Sequence, residues 1–210
     1  GEFSDTFYVN MDMEFDTMLN CPFIGIIGNE FLRNNNIVLD YETETLHAST
    51  DSIEVNPEDY EFLFPMSFGL NQYNIPVVGL VYGDKKYLMV ADSGANDTVI
   101  TKHLMDEAGI CVKHLGNDGT LTCFSTDTLE TSLYDVTLSI FSLGGTSECP
   151  KLYTKNDKAQ VIGNCQHIME GLKDADGNDL MPISGLLSSE FMHRNKWVLD
   201  FGTCVMYQRK

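Results

Sequence analysis

The stretch that decides the fold is Tyr87-Leu88-Met89-Val90-Ala91-Asp92-Ser93-Gly94-Ala95-Asn96-Asp97-Thr98-Val99-Ile100. Its first five residues are apolar or aromatic, a pattern that predicts a buried strand. Asp92, Ser93 and Gly94 are typical turn residues, so we expect the strand to end at Ala91. A second apolar run starts at Val99. The stretch therefore predicts an acidic side chain on a tight turn between two buried segments.

Further short strands are predicted on both sides of this turn. Residues 75–82 and 86–91 flank a Gly-Asp-Lys turn and predict a hairpin. Residues 119–124 and 130–141 predict a long second hairpin. Between the hairpins, residues 101–109 predict a short helix that Thr caps and Gly ends. Many short strands separated by turn signals indicate an all-β fold and exclude a helical bundle.

The chain contains an internal repeat at a constant offset of 160 positions. Residues 22–43 and 182–203 share Pro, Gly, Glu-Phe, Asn, Val-Leu-Asp and Thr at equivalent places, and most other pairs are similar in character. Each copy predicts an apolar strand, a short helix and a closing strand. In this interpretation residues 26–27 and 186–187 are buried strand ends.

Both features resemble retropepsin-like aspartic peptidases. The active-site segment of that family reads apolar-apolar-Asp-Thr/Ser-Gly-Ala, and its lobes close with an apolar strand, a helix and a strand. The resemblance implies an all-β fold: a retropepsin-like lobe, which is a closed, mixed β barrel with one or two short helices. A second copy of the closing unit precedes this lobe. We expect residues 1–50 to be a partial lobe, 51–72 a linker and 73–210 a complete lobe.

The resemblance implies an aspartic endopeptidase with Asp92, Ser93 and Gly94 as catalytic residues. Such enzymes use two carboxylates that share one proton, so that one activates a water while the other hydrogen-bonds the scissile carbonyl. The sequence has no second Asp-Ser/Thr-Gly. The second carboxylate is therefore expected from the partner in a twofold homodimer, or from an upstream lobe as in two-lobed pepsin-like enzymes. Strand exchange with a neighbouring chain is a further alternative.

Substrate contacts are implied beside the turn and at the tip of the second hairpin, which takes the place of the family's flap. The expected substrate-binding residues are Ala95, Asn96, Asp97, Thr126 and Asp127. Thr98 is also expected to line the cleft. The expected partner is a peptide or protein substrate.

Several positions depart from the family pattern. Ser188 replaces the Gly that ends the apolar strand of the closing unit. Retroviral members pair an Arg after that Gly with an Asp after the active-site Ala, and here these positions hold Ser189 and Asn96. Both charges are absent together, so neither is left unpaired. The hairpin tip lacks glycines. An alternative function is therefore a catalytically inactive module used for dimerisation or peptide binding.

Charge and composition narrow the function further. The formal net charge of −18 is spread along the chain and repels phosphate backbones, so no nucleic-acid binding is expected. The sequence contains no run of about 18 or more apolar residues, so no membrane-spanning helix is expected. The five histidines and six cysteines lack metal-ligand spacing, so neither a metal nor another cofactor is expected.

The cysteines give the only indication of compartment. They are scattered, and Cys111, Cys123 and Cys204 lie in apolar surroundings where a thiol behaves as a small hydrophobe. This favours reduced thiols, which are typical of the cytoplasm. A signal peptide removed from the mature chain is an alternative that the sequence leaves open.

Overall fold

The computed structural model describes residues 26–49, 52–66, 75–122, 128–146, 149–163 and 183–210. These residues form twelve strands, three α-helices and one 3-10 helix. In chain order the elements are α1 (Asn29–Asn34), β1 (Ile37–Asp40), β2 (Thr45–Ala48), the 3-10 helix Pro57–Asp59, β3 (Tyr60–Pro65), β4 (Val77–Tyr82), β5 (Lys85–Ala91), β6 (Thr98–Thr101), α2 (Lys102–Ala108), β7 (Cys111–Thr122), β8 (Thr128–Gly145), β9 (Pro150–Ile162), β10 (Ile183–Leu187), α3 (Ser189–Arg194), β11 (Val198–Asp200) and β12 (Val205–Arg209).

Six strands form a closed barrel in the order β4-β5-β10-β6-β9-β8 and back to β4. The ring closes where Leu80 of β4 pairs with Ile140 of β8. Strand β10 is parallel to β5, and β6 is parallel to β9, whereas the other neighbours are antiparallel. Strand β7 pairs with β8 outside the ring. The predicted all-β fold with a closed, mixed barrel and short helices is therefore confirmed.

Tyr82 forms hydrogen bonds across the pair of strands that closes the barrel, β4 and β8. Its hydroxyl donates to the Thr137 carbonyl at 2.9 Å and accepts from the Ser139 N–H at 3.1 Å. Both partners lie on β8, so one side chain from β4 satisfies two backbone groups of the opposite strand. Burial raises the pKa of Tyr82 to about 12, because the phenolate would lose its hydration.

The other sheet has five strands in the order β2-β1-β11-β12-β3. Its central pair, β1 and β11, is antiparallel with Leu39 opposite Leu199. Strand β12 pairs on its outer side with β3, where Met206 lies opposite Phe64. This sheet therefore joins strands from the first 65 residues to the last 13.

Aromatic side chains link this sheet to the barrel. The Trp197 ring stacks on Phe62 with centroids 4.4 Å apart, and Phe191 meets Trp197 edge-on at 5.5 Å. The Trp197 indole N–H donates to the Tyr153 hydroxyl at 3.2 Å, so its buried polar atom is satisfied. Burial contributes roughly 1.5–3 kcal/mol for each phenylalanine. Trp197 lies in the core, and so does Ile37, which precedes it by 160 positions.

Helix α2 begins and ends where its sequence predicts. The Thr101 hydroxyl accepts from the Leu104 N–H at 3.2 Å and caps the first turn. Gly109 follows the helix in the left-handed conformation, with φ of 63°, which costs glycine little.

Part of the predicted linker is an integral strand. Within residues 51–72, β3 pairs with β12 and places Phe62 and Leu63 in the core with no exposed surface. The Leu63 N–H also donates to the buried Ser142 hydroxyl at 3.0 Å. This strand therefore packs between β12 and Ser142 of β8 as part of the fold. The domain boundaries remain predictions.

The expectation for residues 26–27 is wrong. Ile26 and Ile27 are in no strand, and their side chains are 62% and 61% exposed. At the equivalent place, Leu186 and Leu187 lie in β10 between β5 and β6. No pair of strands in the described part of the chain flanks Ile26 and Ile27 in that way.

Two remaining observations bear on compartment and membrane. Cys111 and Cys204 are free and half-buried, and Cys149 is free and exposed; the other three cysteines lie outside the described residues. Within the ranges given above, no helix has the length and apolar character needed to cross a bilayer.

Candidate functional site

The Asp92 turn lies at one end of three neighbouring barrel strands, β5, β10 and β6. Strand β10 runs between β5 and β6, with Leu187 beside Ala91 and Leu186 beside Val99. Residues 92–97 connect β5 to β6 and therefore pass over the end of β10. Gly185 makes this close packing feasible. A Cβ there would lie 2.6 Å from the Val99 carbonyl oxygen, which is closer than side-chain carbons approach backbone.

The turn is held mainly by backbone hydrogen bonds. The Asp92 N–H donates to the Leu187 carbonyl at 2.9 Å, and the Ala95 N–H donates to the Asp92 carbonyl at 3.3 Å. The Gly94 N–H donates to Asp92 Oδ1 at 2.8 Å. One carboxylate oxygen is thus oriented, while the Asp92 side chain stays half-buried at the surface.

Gly94 leaves room for that orientation. A Cβ at this position would lie 3.3 Å from Asp92 Oδ1, so the carboxylate would have to shift. The absence of a side chain also leaves the outer side of the turn open, as both Ser93 and Gly94 are exposed. The Ser93 hydroxyl has no hydrogen-bond partner among the described residues.

Ser189 anchors the far end of the turn. Its N–H and its hydroxyl both donate to the Ala95 carbonyl, each at 2.9 Å. Asn96 is exposed and forms no charged pair. Position 189 therefore holds a hydroxyl anchor, and position 96 holds a solvent-facing amide.

An ion pair that no local sequence motif predicts lies below the turn. Arg194 of α3 pairs with Asp157 of β9, whose side chain is only 3% exposed. The Thr98 hydroxyl donates to Asp157 Oδ2 at 2.6 Å and lies 3.2 Å from the Ser188 hydroxyl, which accepts from the Phe191 N–H. This network ties β6, β9 and α3 together directly below the turn.

The expectation that Thr98 lines the cleft is therefore wrong. Thr98 is 1% exposed and takes part in the network beneath the site. All four residues of β6 are buried, Thr98 among them. Its partner Asp157 lies 59 positions away, and no local motif indicates that pairing.

A cleft of about 260 Å³ opens beside Asp92. It is lined by Asn29, Ile75, Pro76, Val90, Ala91, Asp92, Ser93 and Leu186. Asp92 is the only carboxylate in this lining. The described residues thus supply one carboxylate and a free hydroxyl, which is half of the predicted pair.

The predicted substrate-binding residues are only partly brought together. Ala95 and Asn96 flank the turn, and Asp97 is exposed at its end. Asn96 lines a second cleft, of about 400 Å³, with Tyr41, Ser189, Glu190 and His193. Thr126 and Asp127 lie outside the described residues, as does most of the expected hairpin tip.

Tyr41 lines the cleft beside Asn96 and lies close enough to Asp92 to feel its charge, which no local sequence motif predicts. Burial raises the pKa of the Tyr41 hydroxyl, and the negative charge of Asp92 raises it further. The Tyr41 N–H donates to the Trp197 carbonyl at 3.0 Å, which fixes the backbone there. The part of the chain that is described contains no group of three or more His, Cys, Asp or Glu side chains suited to a metal ion.

Comparisons with known proteins show a likeness to solved structures. No protein-family model matches the chain, and no curated protein matches it. Among solved structures, it is similar to a retropepsin-like aspartic protease from Rickettsia conorii, with 17% sequence identity and a TM-score of 0.36. The match covers 69% of this chain and 96% of the other. The identity and TM-score are too low for this likeness to assign function.

Proposed function

We propose that this chain carries one half of the active site of an aspartic endopeptidase. The carrying observation is the Asp92 turn: a half-buried carboxylate, oriented by the Gly94 N–H, stands at the surface of a closed barrel beside an open cleft. The Ser93 hydroxyl next to it is exposed and free to bond a second turn.

In the proposed reaction Asp92 acts with a second carboxylate across a twofold axis. Two close carboxylates share one proton, since both cannot ionise easily at short distance. The ionised member takes a proton from a bound water, and that water attacks the carbonyl carbon of the peptide bond. The protonated member hydrogen-bonds the carbonyl oxygen as negative charge develops there. When the tetrahedral intermediate collapses, the C–N bond breaks, and the carboxyl that took the proton from water delivers it to the leaving amine. The substrate is a peptide or protein segment lying in the clefts beside Asp92 and Asn96.

The test supplies the second carboxylate within one polypeptide, called here the two-lobe protein. Its sequence is residues 52–182 followed directly by residues 23–210. Because residue 23 corresponds to residue 183 at the 160-position offset, the upstream segment continues into the first copy of the repeat without a gap. We expect it to cleave a random peptide library at acidic pH, from about pH 3 to pH 6. Asp92→Asn in either copy should lower the cleavage rate at least about 1,000-fold.

The matched control is Asp84→Asn in the exposed turn between β4 and β5, which should leave the rate unchanged. A folded two-lobe protein with no cleavage at any pH would contradict the proposed activity. That result would favour the alternative, a non-catalytic module for dimerisation or peptide binding.

A further inference from the structure

Three apolar side chains in the first copy of the repeat are uncovered. Ile26, Ile27 and Leu46 are 62%, 61% and 60% exposed. Their counterparts 160 positions later are Leu186, which is half-buried, and Leu187 and Met206, which are fully buried. Leu187 and Met206 belong to one core cluster, so the local correspondence of the copies groups their counterparts Ile27 and Leu46 in one patch. An exposed apolar patch typically marks an interaction surface. We call the set Ile26, Ile27 and Leu46 the uncovered face.

The backbones around the two copies correspond closely. Asn36 and Lys196 both have positive φ, 51° and 53°, and so do Glu44 and Cys204, 55° and 57°. Asn35 and Asn195 each donate a side-chain N–H to the carbonyl four residues earlier at 2.9 Å. Because the local backbone geometry is the same, neighbouring strands arranged as they are around the second copy would also bury the apolar side chains of the first copy.

The contacts between the copies are reciprocal. The Tyr41 N–H donates to the Trp197 carbonyl, and the Phe201 N–H donates to the Ile37 carbonyl, both at 3.0 Å. These residues are exchanged by adding or subtracting 160. Together with the pairing of Leu39 and Leu199, the bonds define a local twofold axis between β1 and β11.

Applying this axis identifies what the first copy lacks. In the second copy, β5 and β6 flank Leu186 and Leu187, and β3 pairs with the outer edge of β12. In the described part of the chain, β2 is the last strand on its side of the sheet. The same arrangement around the first copy would consist of a strand paired with the free edge of β2 and two barrel strands flanking Ile26 and Ile27.

A second copy of this chain does not fit that requirement. Its β5 and β6 are already occupied by its own β10, and the edge of its β12 is already taken by its own β3. The net charge of −18 on each chain also opposes association between copies. The occupant must therefore be a barrel whose own closing strand is absent.

We infer that the uncovered face is the docking surface for a second β-barrel lobe of the same architecture, which adds an outer strand beside β2. The twofold axis gives this lobe a turn equivalent to the Asp92 turn. In the second copy Ser189 holds the turn by the Ala95 carbonyl, and its counterpart Asn29 lines the Asp92 cleft. The docked turn thus reaches that cleft. That it brings the second carboxylate rests on the proposed function; the docking itself does not.

The experiment compares hydrogen exchange at residues 26–27 and 45–48 in the 210-residue chain and in the two-lobe protein. We expect fast exchange in the 210-residue chain and at least about 100-fold slower exchange in the two-lobe protein. Sedimentation velocity should show the 210-residue chain as a monomer. In the two-lobe protein, Ile27→Asp should restore fast exchange, whereas Val112→Asp, at another exposed apolar residue, should not.

The outcomes separate docking from activity. Slow exchange at the uncovered face without peptide cleavage supports docking and contradicts the proposed function. Slow exchange at the uncovered face in the 210-residue chain, without an upstream lobe, overturns the proposal, because the chain would then cover the face itself. A dimer of the 210-residue chain that Ile27→Asp dissociates overturns it too, as does an upstream lobe that leaves the face unprotected.

Discussion

The hydroxyl of Thr98 donates a 2.6 Å hydrogen bond to Asp157, and both side chains are almost fully buried beneath the Asp92 turn. Asp157 also accepts from the Lys158 N–H at 2.8 Å and pairs with Arg194. One carboxylate therefore satisfies donors from β6, β9 and α3. A buried acceptor shared by several donors is costly to remove, since each donor loses its partner.

Replacing Asp157 by Asn should lower the free energy of unfolding by about 1–3 kcal/mol. The amide can accept from Thr98, but its NH₂ group then faces Arg194 and the Lys158 N–H, which are also donors. Urea unfolding followed by circular dichroism measures the change. Asp84→Asn on the exposed β4–β5 turn is the matched control and should change stability by less than about 0.5 kcal/mol. Equal stabilities for the two variants would contradict the network.

Replacing Asp92 by Asn should lower the pKa of Tyr41. A negative charge disfavours the phenolate, so removing it makes ionisation easier, while the effect of burial remains. NMR titration of tyrosine ring carbons, with Tyr41→Phe to assign the signal, measures the pKa. Asp97→Asn in the same turn serves as the control for loss of a nearby charge. An unchanged Tyr41 pKa in Asp92→Asn would show that the two side chains do not interact.

Replacing Gly185 by Ala should lower the free energy of unfolding by about 2–3 kcal/mol. The new methyl would lie 2.6 Å from the Val99 carbonyl, so β10 and β6 would have to separate. Gly119→Ala provides the control, because a Cβ there would lie at an ordinary 3.7 Å from the Thr131 hydroxyl. Chemical denaturation of both variants measures the difference. If Gly185→Ala is as stable as Gly119→Ala, the close strand packing is incorrect.

Stability should fall as pH rises from about 10 to about 12, in part through Tyr82. In the unfolded chain this hydroxyl ionises near its ordinary pKa, whereas in the fold its pKa is about 12. The unfolded state therefore loses its proton first, and unfolding becomes more favourable, by at most roughly 2 kcal/mol.

Tyr82→Phe tests this directly. At neutral pH it should cost about 1 kcal/mol, because the Ser139 N–H and the Thr137 carbonyl lose a partner. It should also flatten the decline in stability above about pH 10, which thermal unfolding over a pH series measures. A decline as steep as that of the unmodified chain would assign the alkaline sensitivity to other groups.

The parts of the fold that the sequence predicts correctly are those determined locally. The Thr101 cap and Gly109 end of α2, the β4–β5 hairpin and the turn after Ala91 all follow from residues within a few positions of one another. The place of Asp92 on that turn follows in the same way. The core position of Trp197 follows from its equivalence to Ile37.

The parts that the sequence does not predict depend on distant partners. Strand β3 follows a polar run, and its burial is set by Ser142 and β12, which are far away in the chain. The pairing of Asp157 with Arg194 spans 37 positions without a local motif. Ile26 and Ile27 have a sequence suited to a buried strand, but burial requires neighbouring strands that sequence periodicity does not identify.

The backbone bonds around Asp92 have a consequence for divergence. The turn is positioned by the amides of Asp92, Ala95 and Ser189, and every residue except proline provides such an amide. Side chains at 96 and 189 can therefore change identity while the carboxylate keeps its place. A diverged relative of this chain can therefore lose the residue identities that define the family motif and still hold the carboxylate at the same position in the fold.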